Sequence, residues 1–162
     1  MNQTVRIEAA NARDATAVHA MLSEFAEYEK VPHLFQVQVD QLQEAMTGSR
    51  PRLSIDLVSV DGELAGCSIC YETFSTFKGQ PSLFIEDLYV RASYRGLGLG
   101  KALMASLAKR CREGNYASLH WRVLAWNEPA VRFYEAMGAE LSASHLQAML
   151  SEAAMAALAC RE

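Results

Sequence analysis

The chain has 162 residues, of which 51% are hydrophobic and 21% charged, a balance that supports one folded domain over residues 1–162 and argues against disorder. Its formal net charge of -4 disfavours a nucleic-acid surface and is compatible with a cationic ligand. The opening MNQTVRIEAANARD carries no basic segment followed by an apolar run, and no stretch approaches the roughly 20 apolar residues of a membrane span, so a cytoplasmic protein without a membrane partner is expected.

Residues 4–9 alternate and open the chain as a strand. Asn11 or Asp14 is placed to cap the helix that follows, whose apolar stripe is Val18, Met21, Leu22, Phe25 and Tyr28. Pro32 lies beyond its end, 33–38 reads as a loop, and 40–46 as a short helix closed by Gly48 and Pro51. Residues 53–60 alternate as a strand, Asp61-Gly62 signals a two-residue hairpin, and 63–74 return as its partner. A loop at 79–82 leads to 83–90, an apolar strand interrupted by Glu86 and Asp87. A glycine-rich turn at 95–100 precedes a helix at about 99–113, then a strand at 118–125 and a helix from Glu128 to Met137 stopped by Gly138. A strand at 145–150 and an alanine-rich helix capped by Ser151 complete the chain. Hairpins first and strand–helix alternation second predict an α/β (α+β mixed) fold, a mixed sheet with helices on both faces.

Cys67 and Cys70 form a C-x-x-C, but on a strand residues three apart point to opposite faces, and no second pair completes a zinc site. They are read as buried, inert thiols, and no metal is expected.

The segment Arg95-Gly96-Leu97-Gly98-Leu99-Gly100-Lys101 stands between a strand and a helix. Helix N-termini leave N–H groups unpaired, and glycines allow close approach of an anion, so such a turn suits a pyrophosphate. A P-loop requires Ser or Thr after Gly-Lys, and here Ala102 follows. A dinucleotide fingerprint requires a third glycine where Lys101 stands, and belongs near the first strand.

The remaining pattern, R-x-x-G-x-G at the start of a long helix, resembles the acyl-CoA pyrophosphate loop of the GNAT acetyltransferases. FIEDLYVRASYRGLGLG at 84–100 and WNEPAVRFYEAMG at 126–138 are similar to the diamine (spermidine/spermine) N-acetyltransferase branch, and FAEYEK at 25–30 resembles that branch's substrate-binding helix end. The resemblance implies a GNAT-like sheet of six to seven strands, acetyl-CoA as co-substrate, no metal, a small amine as partner, and a homodimer with the C-terminal segment as contact. It implies N-acetyl transfer to a primary amine by direct attack in a ternary complex. The alternatives are a protein or peptide lysine acetyltransferase and a CoA-binding module without turnover; retention of Glu86 and Tyr134 argues against the latter.

An ammonium must lose a proton before it attacks a thioester. Adjacent acids inside an apolar strand are unusual, and on a regular strand Glu86 and Asp87 point to opposite faces, one to a site and the other to structure. The resemblance makes Glu86 the base, through water, and gives Asp87 the substrate's positive charge. A helical tyrosine is most often a core residue; the resemblance makes Tyr134 the acid that protonates the departing thiolate. Asn127, with Glu128, Pro129 and Ala130, starts its helix and by resemblance meets the CoA arm; an N-cap role for Asn127 is compatible. Leu88, Tyr89 and Val90 are expected to offer backbone groups to the pantetheine, and residues 95–101 to hold the diphosphate. Tyr28, Glu29, His120 and Trp121 are the further substrate-pocket residues, while His33 and His145 are read as surface. The loop at 30–38 and the tail from Ser142 depart from the branch in regions that shape the pocket, so the resemblance does not fix a polyamine, and a diamine, a lysine-like amino acid or another small primary amine all stay open as acceptors.

Overall fold

The computed structural model describes residues 3–142 and 147–160 and divides into two compact units, Met1–Arg122 and Val123–Glu162. The first unit contains β1 (Val5–Ala9), α1 (Ala15–Tyr28), α2 (Val39–Thr47), β2 (Ser54–Val60), β3 (Glu63–Ser75), β4 (Gln80–Val90), α3 (Leu99–Glu113) and β5 (Leu119–Trp121). The strands lie in the order β1-β2-β3-β4-β5, antiparallel through β4, with β5 added parallel to β4.

Local sequence explains the element ends. The Asn11 side chain accepts from Arg13 N–H at 3.0 Å and Asp14 accepts from Asn11 N–H at 2.8 Å, a capping box on the short turn that leads into α1. Asp61 and Gly62 take φ of 51° and 90°, the two left-handed positions of a tight hairpin, and Thr4 N–H donates to Asp61 Oδ1 at 2.8 Å. The expected loop at 79–82 is shorter, because Pro81 and Ser82 already pair with Phe74 and Thr73 in β4.

Two apolar layers cover the sheet. On one face α1 and α2 pack Val18, Met21, Leu42 and Met46 against Ile55, Leu57, Cys67, Ile69 and Tyr89. On the other, Leu99 and Leu103 of α3 pack against Val58, Val60 and Ala65. Helices on both faces of a mixed sheet are therefore present, as expected. Cys67 belongs to the α1 layer, whereas Cys70 is influenced by Arg110 and Cys111 of α3. The two thiols point to opposite faces, and burial pushes each up to about 12, so they are inert at neutral pH.

The strand count differs from six to seven: the sheet has five strands among the described residues. The strand expected at 145–150 falls partly on 143–146, including His145, outside the described residues, while 147–150 are exposed and irregular. β5 is three residues long instead of eight, because its pairing with β4 ends at Ile85, where β4 becomes irregular. The second unit holds α4 (Glu128–Glu135), close to the expected span, and α5 (Glu152–Ala159), whose cap is Ser151 Oγ accepting from Ala154 N–H at 3.2 Å.

Gly66 sits where β3 meets the end of β4, and a Cβ there collides with the Tyr89 carbonyl oxygen and the Val90 backbone. Both are backbone atoms that cannot step aside. Gly66→Ala is expected to cost roughly 1–3 kcal/mol, read as a lowered urea midpoint at unchanged m-value; an unchanged midpoint would show that the strands separate freely.

Candidate active site

β3 and β4 fall out of register between Ile69–Asp87 and Cys70–Ile85, so Glu86 is an extra residue, a β-bulge. Bulges re-aim side chains and end pairing. Asp87 shares its parity with Tyr89 and pairs with Ile69, which places it on the α1 face. Ile85 pairs with Cys70 on the α3 face, so Phe84 and its ring partner Tyr71, 5.0 Å away, return to the α1 face. Glu86 hydrogen-bonds Tyr71 and lies 3.6 Å from Arg122, on that same side. The expectation of opposite faces is therefore corrected: the bulge turns both carboxylates toward the α1 side.

Around them stands a mixed wall. Phe84 meets His120 edge-on at 5.2 Å, and the Arg122 guanidinium lies over Phe84 at 5.3 Å. His120 Nδ1 is 3.2 Å from Ser118 Oγ, and burial holds the imidazole below its usual proton affinity. Trp121 pairs with Ile85, one position further along β5, and so faces the α3 side, which corrects the expectation that it lines the acceptor pocket. Glu29 follows the last turn of α1, and burial raises its pKa.

Asp87 is the most perturbed of these acids. Burial, then the negative charges of Glu86 and Glu29, lift its pKa from 3.8 to about 7. Removing water disfavours its ionised form, and both neighbours that act on it are also anionic.

β4 pairs with β5 only through Leu83–Ile85. From the bulge onward the β5-facing edge of β4 has no ladder partner among the described residues, and it carries Leu88, Tyr89 and Val90. Such an edge accepts an extended ligand as an added strand.

The glycine turn follows. Gly96 and Gly98 take φ of 81° and 77°, and no atom lies within 4 Å of a Cβ built at either, so this side of the turn is open. Gly98 is the N-cap of α3 without a side-chain cap, which leaves first-turn N–H groups to a ligand. Leu99 is buried in the α3 layer and fixes the turn, whereas Leu97, Gly96 and Gly98 are exposed and Gly100 and Lys101 begin the helix. Arg95 bends back, donating from Nε to the Val90 carbonyl at 3.1 Å and lying 4.5 Å over the Tyr28 ring. This contact ties the turn to the end of α1 that carries Glu29.

Sequence reasoning missed Tyr71, Phe84, Arg122 and a clip formed by Arg91 and Glu24. Arg91 donates to Glu24 Oε1 from Nη2 at 2.8 Å and to Oε2 from Nε at 3.0 Å, while its Nη1 donates to the Leu64 carbonyl at 2.9 Å. Tyr89 Oη donates to the same carboxylate at 3.3 Å. The signal for Arg122 was available: it is two residues past His120 on a strand, hence on the same face.

In the second unit, Asn127 is buried, and its Oδ1 accepts from Ala130 N–H at 3.3 Å, the N-cap of α4 ahead of Glu128-Pro129. Glu128 also pairs with Arg132 at 3.1 Å. Tyr134 is buried, its ring edge-on to Phe133 at 5.1 Å.

A mixed sheet with an open glycine turn at a helix start and carboxylates on a bulged strand is the arrangement of an acyl-transfer enzyme that uses a diphosphate-bearing carrier. The family model described as the acetyltransferase (GNAT) family matches residues 16–139. A thialysine N-epsilon-acetyltransferase from Bos taurus is 30% identical, over 84% of this chain and 84% of that protein. An L-ornithine N5-acetyltransferase from Arabidopsis thaliana is 23% identical, over 84% of this chain and 79% of that one. An integron cassette protein from the mobile metagenome of V. cholerae shares the fold with a TM-score of 0.81 at 20% identity, covering 96% of this chain and 98% of that chain. The chain belongs to the GNAT family of acetyltransferases. It is an N-acetyltransferase, of a family that uses acetyl-CoA as co-substrate, and no described helix is long and apolar enough to cross a membrane.

The raised pKa of Asp87 has a consequence for stability. Between about pH 4 and 7 the folded protein holds a proton that the unfolded chain has released, so this group lowers stability as pH rises through that window. Asp87→Asn removes the effect. The variant is expected to gain on the wild type between pH 5 and 8, by at most about 2.7 kcal/mol, because the effect accrues from pH 5 to about 7 at 1.36 kcal/mol per tenfold change in proton affinity, less in proportion to the side chain's partial exposure. Parallel unfolding curves at both pH values would show that Asp87 titrates normally.

Proposed function

We propose that the enzyme transfers the acetyl group of acetyl-CoA to the primary amine of a small cationic acceptor (a diamine, a polyamine or a lysine-like amino acid) by direct attack in a ternary complex. The observation that carries this reading is the gathering of Glu29, Glu86 and Asp87 on the α1 side of the sheet, joined to the glycine turn by the Arg95–Tyr28 contact. The two relatives, a thialysine N-epsilon-acetyltransferase and an L-ornithine N5-acetyltransferase, support it.

The ammonium enters the carboxylate cluster, where its charge relieves the repulsion around Asp87. In a desolvated site, moving a proton from ammonium to carboxylate replaces two charged groups by two neutral ones, and burial favours that exchange. The Glu86–Asp87 pair thus removes the proton, with Asp87 as the immediate acceptor and Glu86, held by Arg122 and Tyr71, raising its proton affinity. The resemblance alone assigns the base to Glu86; the electrostatics support Asp87. The free amine attacks the thioester carbonyl, whose developing charge is met by β4 backbone N–H groups. Leu88–Val90 receive the pantetheine, and residues 95–101 the diphosphate. Asn127 through Ala130 meet the CoA arm. Tyr134 donates its phenolic proton to the departing thiolate, a match of about 10 against about 8.5. Tyr28 and His120 complete the acceptor's pocket, and Trp121, the register partner of Ile85, stands on the other face of the sheet.

A homodimer is part of the proposal, supported by the resemblance and by Met155 and Leu158, which stand exposed on the apolar α5. A cytoplasmic location is supported by Cys67, Cys70 and Cys111, which are free thiols suited to a reducing compartment.

Tyr134→Phe is expected to lower kcat by about 10²–10⁴-fold with acetyl-CoA affinity nearly unchanged; full turnover by the variant would remove Tyr134 as the acid. Gly98→Val places a Cβ in the left-handed region and on the open side of the turn, so the KM for acetyl-CoA should rise at least tenfold while folding is retained. For the wild type, kcat/KM for the amine is expected to climb with pH to an inflection near 7, a limb that Asp87→Asn abolishes; a variant that keeps the limb would return the base to Glu86.

A further inference from the structure

A pocket built for polycations has no use for a cation of its own, yet Arg122 stands in this one. Its guanidinium is 3.6 Å from Glu86 Oε2, longer than a hydrogen bond, and its side chain is 56% exposed. The Phe84 ring flanks it on one side at 5.3 Å, a contact that uses none of the guanidinium's five N–H donors. The bulge at Glu86 puts this cation on the same side of the sheet as Asp87, and Glu86 is within reach of both. Going outward from α1, the site presents a carboxylate-rich end, formed by Glu29 and Asp87, and then a planar cation.

We propose that Arg122 is a specificity-determining residue that receives the α-carboxylate of an amino-acid acceptor whose distal ammonium is held by Asp87 and Glu29. The inference rests on the reading that these carboxylates bind the acceptor amine. It narrows the acceptor to basic amino acids with a terminal primary amine, in preference to diamines or polyamines of the same length. The chemistry is that of a fork meeting a fork: guanidinium and carboxylate pair through two parallel hydrogen bonds, which a loose contact with Glu86 does not satisfy. A diamine of the same length can offer its second ammonium to Glu86 but brings no carboxylate, so it leaves Arg122 beside an added positive charge and without its fork partner. On binding, the acceptor's carboxylate takes Arg122, its α-ammonium takes Glu86, and its distal ammonium is shared by Asp87 and Glu29.

The test compares matched acceptors that differ only in the carboxylate: L-lysine against cadaverine, and L-ornithine against putrescine, with wild type, Arg122→Met and Arg122→Lys. Wild type is expected to favour the amino acid of each pair. In Arg122→Met the ratio of kcat/KM, amino acid over diamine, should fall roughly tenfold to a hundredfold, chiefly through KM for the amino acid. Arg122→Lys should restore part of the ratio, because it keeps the charge and loses the fork. Circular dichroism and the KM for acetyl-CoA serve as checks that the variants are folded and hold the co-substrate. An unchanged ratio in Arg122→Met, or a wild type that prefers the diamines, overturns the role of Arg122 while leaving the amine-acetylation reading intact. If no member of the panel is acetylated although acetyl-CoA is bound, both the inference and the reading beneath it fall.

Discussion

A single inserted residue governs the site. In a regular β4, one of Glu86 and Asp87 would face α3, where Leu103, Leu107 and Cys70 are fully buried, and an ionised carboxylate there would cost several kcal/mol. The bulge removes Glu86 from the ladder instead. Three results follow from one irregularity. Both acids turn to the α1 side. Pairing with β5 stops at Ile85, which shortens β5 to three residues and opens the β4 edge. The strand beyond the bulge then delivers the chain to the glycine turn at the start of α3. Acceptor pocket, ligand-pairing edge and anion-binding turn are thus placed by one backbone feature, held between two apolar layers that do not depend on it.

That arrangement leaves the empty pocket electrostatically unfavourable. Burial and the charges of Glu86 and Glu29 raise the cost of ionising Asp87, and burial raises that of Glu29. A cation relieves all three at once. Affinity for an ammonium and readiness to take its proton therefore have the same origin: the site favours any change that lowers its net negative charge, whether by binding a cation or by binding a proton. A more stable arrangement, with each acid paired to its own base, would bind amines less well and deprotonate them less readily.

The helices and hairpins were legible because their signals are local. The Val18–Met21–Phe25 stripe has helical spacing, Asp61-Gly62 is a turn by its own chemistry, and Gly98 precedes α3 where an uncapped helix start was expected. The bulge was not legible, because alternation along β4 carries no record of its register with β3. Adjacent acids in an apolar strand marked the place but not the outcome, and a regular strand gave the wrong faces for them. Arg122 escaped notice for a related reason: an isolated arginine after a strand looks like a solvated end until its aromatic neighbour and its acid are known. The tail from Ser142 carries neither alternation nor turn chemistry strong enough to fix a strand, and 147–150 form none.

The anionic character of the pocket also depends on where nearby cations are spent. Glu24 and Glu29 stand at the end of the same helix, but only Glu24 is engaged by Arg91, which simultaneously holds the Leu64 carbonyl. That clip fastens the last turn of α1 to the end of β4, and it uses up a guanidinium that would otherwise lie within reach of the acids. Arg95 is committed to the Val90 carbonyl and the Tyr28 ring. With both arginines occupied in holding α1, β4 and the glycine turn together, the contacts that make the site rigid are the same ones that keep Asp87 without a counter-ion. Replacing Glu24 would then act on the site twice, loosening the helix that carries Glu29 and releasing a cation toward Asp87, whose proton affinity would fall.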